Sequence, residues 1–395
     1  MGSVAPSIRL LARAPHRLMF FIGASNLLLA MGWWAMWLAD ARWQLFGLRQ
    51  PTPYAGWLHA FVMQYQMLPS FIVGFLLTVF PRWMGLPGGL GLFGGQLATL
   101  LGAFGFDPGV VIGYWMTLAG WLAGIATLGP LLLRERGRTW HARGCFLGLS
   151  LGLLGLLAWG GFLLGDDARL AFASIKLGTF GLLLPVYFCV AHRMFPFFAG
   201  NVVPGYVAWR PLWLLGAVLA LCLAHLGLEL LHAYAWLWLA DLPLLALLLL
   251  ALWKWWPRGQ VPGLLQGLFL GLAWLPLAIG LYAFQSLAYS LTGEFLLGRA
   301  PAHALFVGFF GSVLVAMVTR VTQGHSGQAL VMPVAAWFAF VAIQLVAALR
   351  VFAEVMPDGI AWQAAAAFGW LIAFAPWVAR IGRIYLSPRT DGKPG

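Results

Sequence analysis

Charged side chains are so sparse in this chain that uninterrupted apolar runs of about 20 residues recur along its whole length, and a run of that length is what an α-helix needs to cross the hydrocarbon core of a bilayer. Only 9% of the 395 residues are Asp, Glu, Lys or Arg, 62% are hydrophobic, and the mean hydropathy is +0.88. Such a composition excludes a water-soluble globule. The sequence therefore predicts an all-α polytopic membrane protein, a bundle of about twelve transmembrane helices. The net charge of +12 and the pI near 10.3 would suit a nucleic-acid partner in a soluble protein. In a polytopic one, basic cytoplasmic loops produce the same excess, so no nucleic acid is expected. Cys145, Cys189 and Cys222 all lie in apolar segments, which leaves no disulfide framework. The first apolar run is long and has no A-x-A cleavage pattern, so it reads as a retained helix rather than a signal peptide.

Cutting the chain at charges and at Pro/Gly-rich breaks gives a single integral-membrane domain, 1–395, with spans near 18–39, 57–80, 90–106, 110–133, 145–165, 170–192, 211–231, 233–253, 262–290, 301–319, 330–352 and 361–380. The glycine-rich segment 90–106 is the weakest of these. It leaves open a short or re-entrant helix, and without it everything downstream would change orientation. The basic residues arbitrate. With twelve spans and the N-terminus inside, seventeen of the 23 Lys and Arg fall on inner segments and five on outer ones, with Lys176 inside a span. The positive-inside rule then puts both termini in the cytoplasm. Tryptophans near span ends suit interfacial belts, and most glycines suit close helix packing.

Ionisable groups in lipid need a partner or a task, so the histidines and intramembrane charges are the informative residues. His59 is the third residue of span two and His303 the third of span ten, and both spans run inward, so the two histidines sit at one depth near the outer face. Span seven runs outward and carries His225, Glu229 and His232 on one helical face, close to the same level. Imidazoles and one carboxylate at a common depth have the chemistry for haem iron or copper. Packing or interfacial histidines would leave the same pattern. At the inner level stand Arg82, His192 with Arg193, and Arg320 with His325. Cytoplasmic anchoring accounts for the arginines, and binding of haem propionates, another anion or protons is the functional alternative. Lys176 lies about seven residues into span six, too deep for a loop. No acid on that span can pair with it, so a partner must come from another helix. The Cys189/His192 and Cys222/His225 pairs have soft-metal ligand types, but their depths differ, which argues against one shared site.

No phosphate loop, covalent haem-attachment motif or nucleophile elbow occurs in the chain. Non-covalent haem b leaves no such motif. Three segments, FLLTVFPRWMG from Phe75, HRMFPFFAGN from His192 and HALFVGFFGSVLVAMVTRVTQGHSGQ from His303, resemble the NnrS family of bacterial membrane proteins. The resemblance extends from the N-terminal PHRLMFF onward and is most specific in the third segment. It implies a haem- and copper-containing twelve-helix protein of nitric oxide metabolism or tolerance, in the setting of denitrification and nitrosative stress.

One departure from the family pattern bears on the metals. Where the family has W-H-x-H-E-M, this chain has LHAFVM, so His59 matches the first histidine while Phe61 and Val62 replace the second histidine and the glutamate. A copper site built on those two groups cannot form here. Copper would need the His225, Glu229 and His232 group instead. His303, His325 and Arg320 match the pattern and carry over. The expectation is a haem b protein that binds or reduces nitric oxide or another small gas. His303 and His59 are its axial-ligand candidates, with Arg320, His325, His192 and Arg82 as further cofactor-binding candidates. A non-catalytic haem-based sensor or scavenger is the runner-up, and a small-molecule transporter the third reading, although no inverted repeat supports the latter.

Overall fold

The computed structural model describes residues 7–76, 89–137 and 139–392. All regular elements among them are helical. In chain order they are α1 (His16–Trp43), α2 (55–76), α3 (Leu90–Ala103), α4 (Gly109–Arg134), α5 (Trp140–Gly165), α6 (Ala168–Val202), α7 (Leu212–Leu230), α8 (Tyr234–Trp255), α9 (Gly263–Thr292), α10 (Ala300–Ser326), α11 (Val334–Phe352) and α12 (Gly359–Tyr385). Ten of them are long and apolar enough to cross a membrane, α2 and α3 being the others. The chain is a multi-pass membrane protein.

The two exceptions have local causes. α3 is short and glycine-rich, and its glycines are consumed by packing. A Cβ on Gly91 would strike the backbone of Gly120, one on Gly95 would strike Thr117, and one on Gly102 would strike Val110, so α3 lies backbone to backbone on α4. α2 is less apolar because it carries glutamines, and each finds a partner. Gln64 Nε2 donates to Thr179 Oγ1 at 3.0 Å, and Gln66 Nε2 donates to Thr99 Oγ1 and Thr117 Oγ1, both at 2.9 Å. Tyr65 Oη donates to the Ser174 carbonyl at 2.6 Å, and Trp121 Nε1 donates to the Tyr65 carbonyl at 3.0 Å. These bonds tie α2 to α3, α4 and α6 inside the bundle, while the Oε1 atoms of Gln64 and Gln66 stay buried with no hydrogen-bond partner among the described residues.

Two expected boundaries move. The sixth helix runs past the expected end at 192 to Val202 with Pro196 inside it, so the HRMFPFFAGN segment is helical throughout. The tenth continues to Ser326, where Gly327 adopts the left-handed conformation (φ +72°) and returns its N–H to Gln323. Arg320 and His325 therefore sit on a helix instead of after one. α10 and α6 are the central helices, with 83% and 72% of their apolar stretches buried, against 22% for α4 at the periphery. α1 packs along α12, and the buried Arg17 guanidinium fastens the two by donating to the carbonyls of Tyr385 (3.1 Å) and Ser387 (2.9 Å).

Candidate functional site

Among the described residues, four helices each contain one wide π-type stretch: Val62–Met67 in α2, Leu90–Gly94 in α3, Leu177–Leu183 in α6 and Ala304–Gly311 in α10. A π turn weakens the regular hydrogen-bond ladder and re-aims the side chains around it, and such turns collect at functional sites. The stretches of α2, α6 and α10 border one cavity of about 300 Å³, contributing among others Met63, Gln64, Thr179, Phe180, Phe306 and Gly311. This volume is at the lower end of the range for cofactor and ligand sites.

His59 and His303 both line this cavity. His303 Nδ1 is 2.9 Å from the carbonyl oxygen of Arg299 one turn earlier. A carbonyl can only accept, so Nδ1 carries the proton and Nε2 keeps its lone pair, the tautomer used for metal ligation. The His59 ring stacks on Trp34, with centroids 4.3 Å apart and planes at 11°. Its Nδ1 is buried with no hydrogen-bond partner among the described residues, a costly state in an apolar interior. Arg299 and Arg350 line the same cavity. Arg350 is buried and pairs with Glu354 at 2.7 Å, whereas Arg299 has no ion pair among the described residues.

The span-seven residues lie elsewhere. His225 and Glu229 are buried and engaged by neighbouring helices: His225 Nδ1 lies 2.6 Å from Asp241 Oδ1 on α8, and Lys176 Nζ donates to Glu229 Oε1 at 2.8 Å. Phe180 stacks on His225 at 3.6 Å and stands between it and the cavity. His232 leaves the face altogether, lying beyond the helix with a positive φ of +54° and its Nδ1 2.6 Å from Tyr234 Oη. The level ring of imidazoles and one carboxylate expected from the spacing is thus divided. His59 and His303 share the cavity, His225 and Glu229 lie behind it, and His232 is exposed. Among the described residues, no group of three or more His, Cys, Asp and Glu side chains is spaced to hold a metal ion.

None of the described inner-level residues lines the cavity. His192 is buried between His141, at 2.9 Å from its Nδ1, and the Pro211 carbonyl, at 3.2 Å from its Nε2. Both of its nitrogens are therefore occupied. The Arg320 guanidinium lies 3.9 Å from the centre of the Phe198 ring, and His325 faces His16 with ring centroids 4.5 Å apart. Arg82 lies outside the described residues. The histidines of the two C-x-x-H pairs have separate surroundings, His192 with His141 and the Pro211 carbonyl and His225 with Asp241.

Sequence reasoning required Lys176 to find a partner on another helix, and Glu229 is that partner. It missed Asp241, Arg299 and Arg350. Asp241 was open to the logic applied to Lys176, because a lone acid inside a span also needs a partner. Arg299 stands one helical turn before His303, a spacing that could have linked the two.

No curated protein matches the chain. The family model described as NnrS protein matches residues 10–389, nearly the full length. The chain therefore belongs to the NnrS family, and this membership supports a role in nitric oxide metabolism or tolerance.

Proposed function

We propose that the protein binds haem b in the cavity between α1, α2, α6 and α10 and engages nitric oxide there, in a bacterial inner membrane with both termini cytoplasmic. The observation that carries this reading is the pair of half-buried histidines that line one cavity. His303 has its Nε2 lone pair free, and His59 has an unpartnered buried nitrogen. The remaining lining suits the group: a mostly apolar enclosure for a macrocycle, with the Arg299 guanidinium able to meet a propionate. Haem would supply an iron centre for nitric oxide. The chain's own residues would orient it, through the Arg299 carbonyl that fixes the His303 tautomer and the Trp34 face against His59.

His303 and His59 would hold the iron, which would supply either a site for nitric oxide, if one imidazole left, or electron transfer. Metal analysis with an absorption spectrum of the detergent-purified protein tests the reading. A Soret band that shifts with nitric oxide supports it, and a colourless metal-free protein returns the chain to the transporter class. Nitrous oxide formed from nitric oxide and a reductant would mark a reductase, and a spectral shift without it a sensor or scavenger.

A further inference from the structure

A second cavity, about 280 Å³, adjoins the first. The two share Lys176, Tyr282, Arg299 and Ala302 in their walls, and the second is closed on its far side by Glu229 and Tyr234. Behind Glu229 the side chains continue inward. Glu229 Oε1 is 3.5 Å from His225 Nε2, and His225 Nδ1 is 2.6 Å from Asp241 Oδ1. Glu229, His225 and Asp241 are 3%, 0% and 0% exposed. Every hydrogen-bonded link in this file crosses from one helix to another, α6 to α7 and α7 to α8.

We propose that Glu229, His225 and Asp241 form a buried proton-holding site that exchanges one proton with the second cavity, with Lys176 linking it to the central one. Charge counting supports this. One ammonium and two carboxylates around a neutral imidazole leave the cluster at net −1 in an apolar interior, and a single added proton makes it neutral. The acceptors for that proton exist, because His225 Nε2, Glu229 Oε2 and Asp241 Oδ2 are all buried with no hydrogen-bond partner. The proton belongs to the group as a whole, as expected where titratable groups couple strongly.

Geometry also gives a direction. Phe180, stacked on His225, blocks the direct way to the central cavity, while Glu229 faces the second one. Exchange therefore runs through Glu229 and past Lys176. The groups facing the cluster are Lys176 from α6, Cys222 from its own helix, Tyr234 from α8 and Tyr282 from α9. Of these, only Lys176 brings a permanent charge. The inference goes beyond the haem reading, since the site needs no group in either cavity.

The test follows the charge state of His225 by nitrogen NMR of histidine-labelled, full-length protein in lipid nanodiscs, from about pH 5 to about pH 9. The His225 signal is assigned by its loss in His225→Gln. The expected result is one imidazolium-to-imidazole transition within that range. Asp241→Asn should move its midpoint down, and Lys176→Met should move it up, each by about one pH unit or more. If Asp241→Asn does not fold, Glu229→Gln serves with the same expected sign. A His225 charge state constant across the range, or a midpoint unmoved in the variants, overturns the proposal. Neither outcome depends on haem, whose presence the absorption spectrum reports separately.

Discussion

The Lys176–Glu229 pair can be dissected by a double-mutant cycle. The two charges are 2.8 Å apart, with Glu229 3% exposed and Lys176 23% exposed. At an effective dielectric near 20, this separation gives a gross attraction of about 6 kcal/mol. Water reaching Lys176 screens part of it, and the desolvation of both groups opposes the rest. The net worth of the pair is therefore small, but the cost of removing one partner is not. Glu229→Gln should destabilise by about 3 kcal/mol, since it leaves an ammonium in an apolar wall, and Lys176→Met should cost a similar amount by leaving an unneutralised carboxylate beside Asp241. The combined Lys176→Met/Glu229→Gln variant removes both charges and should cost about 1 kcal/mol, giving a coupling of several kcal/mol. At this chain length each kcal/mol shifts Tm by about 2 °C. The single variants should then melt about 6 °C lower in detergent and the double about 2 °C lower. Additive losses in the double variant would refute the reasoning, because they would mean that the two side chains contribute by packing alone.

The histidine pair makes a separate demand: His303→Ala should lose most bound haem, while His59→Ala should lose less or turn the spectrum towards high spin. Normal haem content and an unchanged spectrum in both would remove the pair as ligands. Because Phe61 and Val62 occupy the positions of the family's second histidine and glutamate, metal analysis should find less than one copper per chain, and stoichiometric copper would show that another set of residues binds it. Reporter fusions attached after Gly395 should be active only on the cytoplasmic side, and activity outside would invert the orientation drawn from the basic residues.

Positions of charge made the helices legible, because a bilayer tolerates few charges within a span and the gaps between them set helix length. The same rule hid part of the site. Arg299 and Arg350 stand near helix ends, where positive-inside counting treats an arginine as loop decoration, yet both side chains turn into the cavity. His59 and His303 could be matched from sequence because each is a few residues into a span of the same direction. For His192 and His325 depth alone was misleading, since their rings are engaged by His141 and His16 from helices distant in sequence. The π turns were not legible at all. A turn of that kind has no periodicity of its own, and it persists only where neighbouring helices hold it, as Thr179 is held by Gln64.

A void left by imperfect packing between transmembrane helices would be walled by apolar groups, since polar ones there lose hydration without compensation. This cavity is mostly apolar too, but it carries many more polar groups than such a void would. Its walls hold two histidines, two arginines, Lys176, Gln64, Thr179 and Gln363, whereas the outward faces of α4 and α8 present leucine and tryptophan such as Leu122, Trp115, Leu249 and Trp253. The polarity is concentrated on helices that are also widened, α2, α6 and α10. Some of it is neutralised internally, with Arg350 on Glu354 and Lys176 on Glu229. Among the described residues, the His59 Nδ1, the His303 Nε2 and the Arg299 guanidinium have no such internal match. Those three groups are two potential iron ligands and one cation. All three line the same cavity, and the proposed haem would offer them an iron and an anion together, which a bare transport substrate or a lipid tail would not.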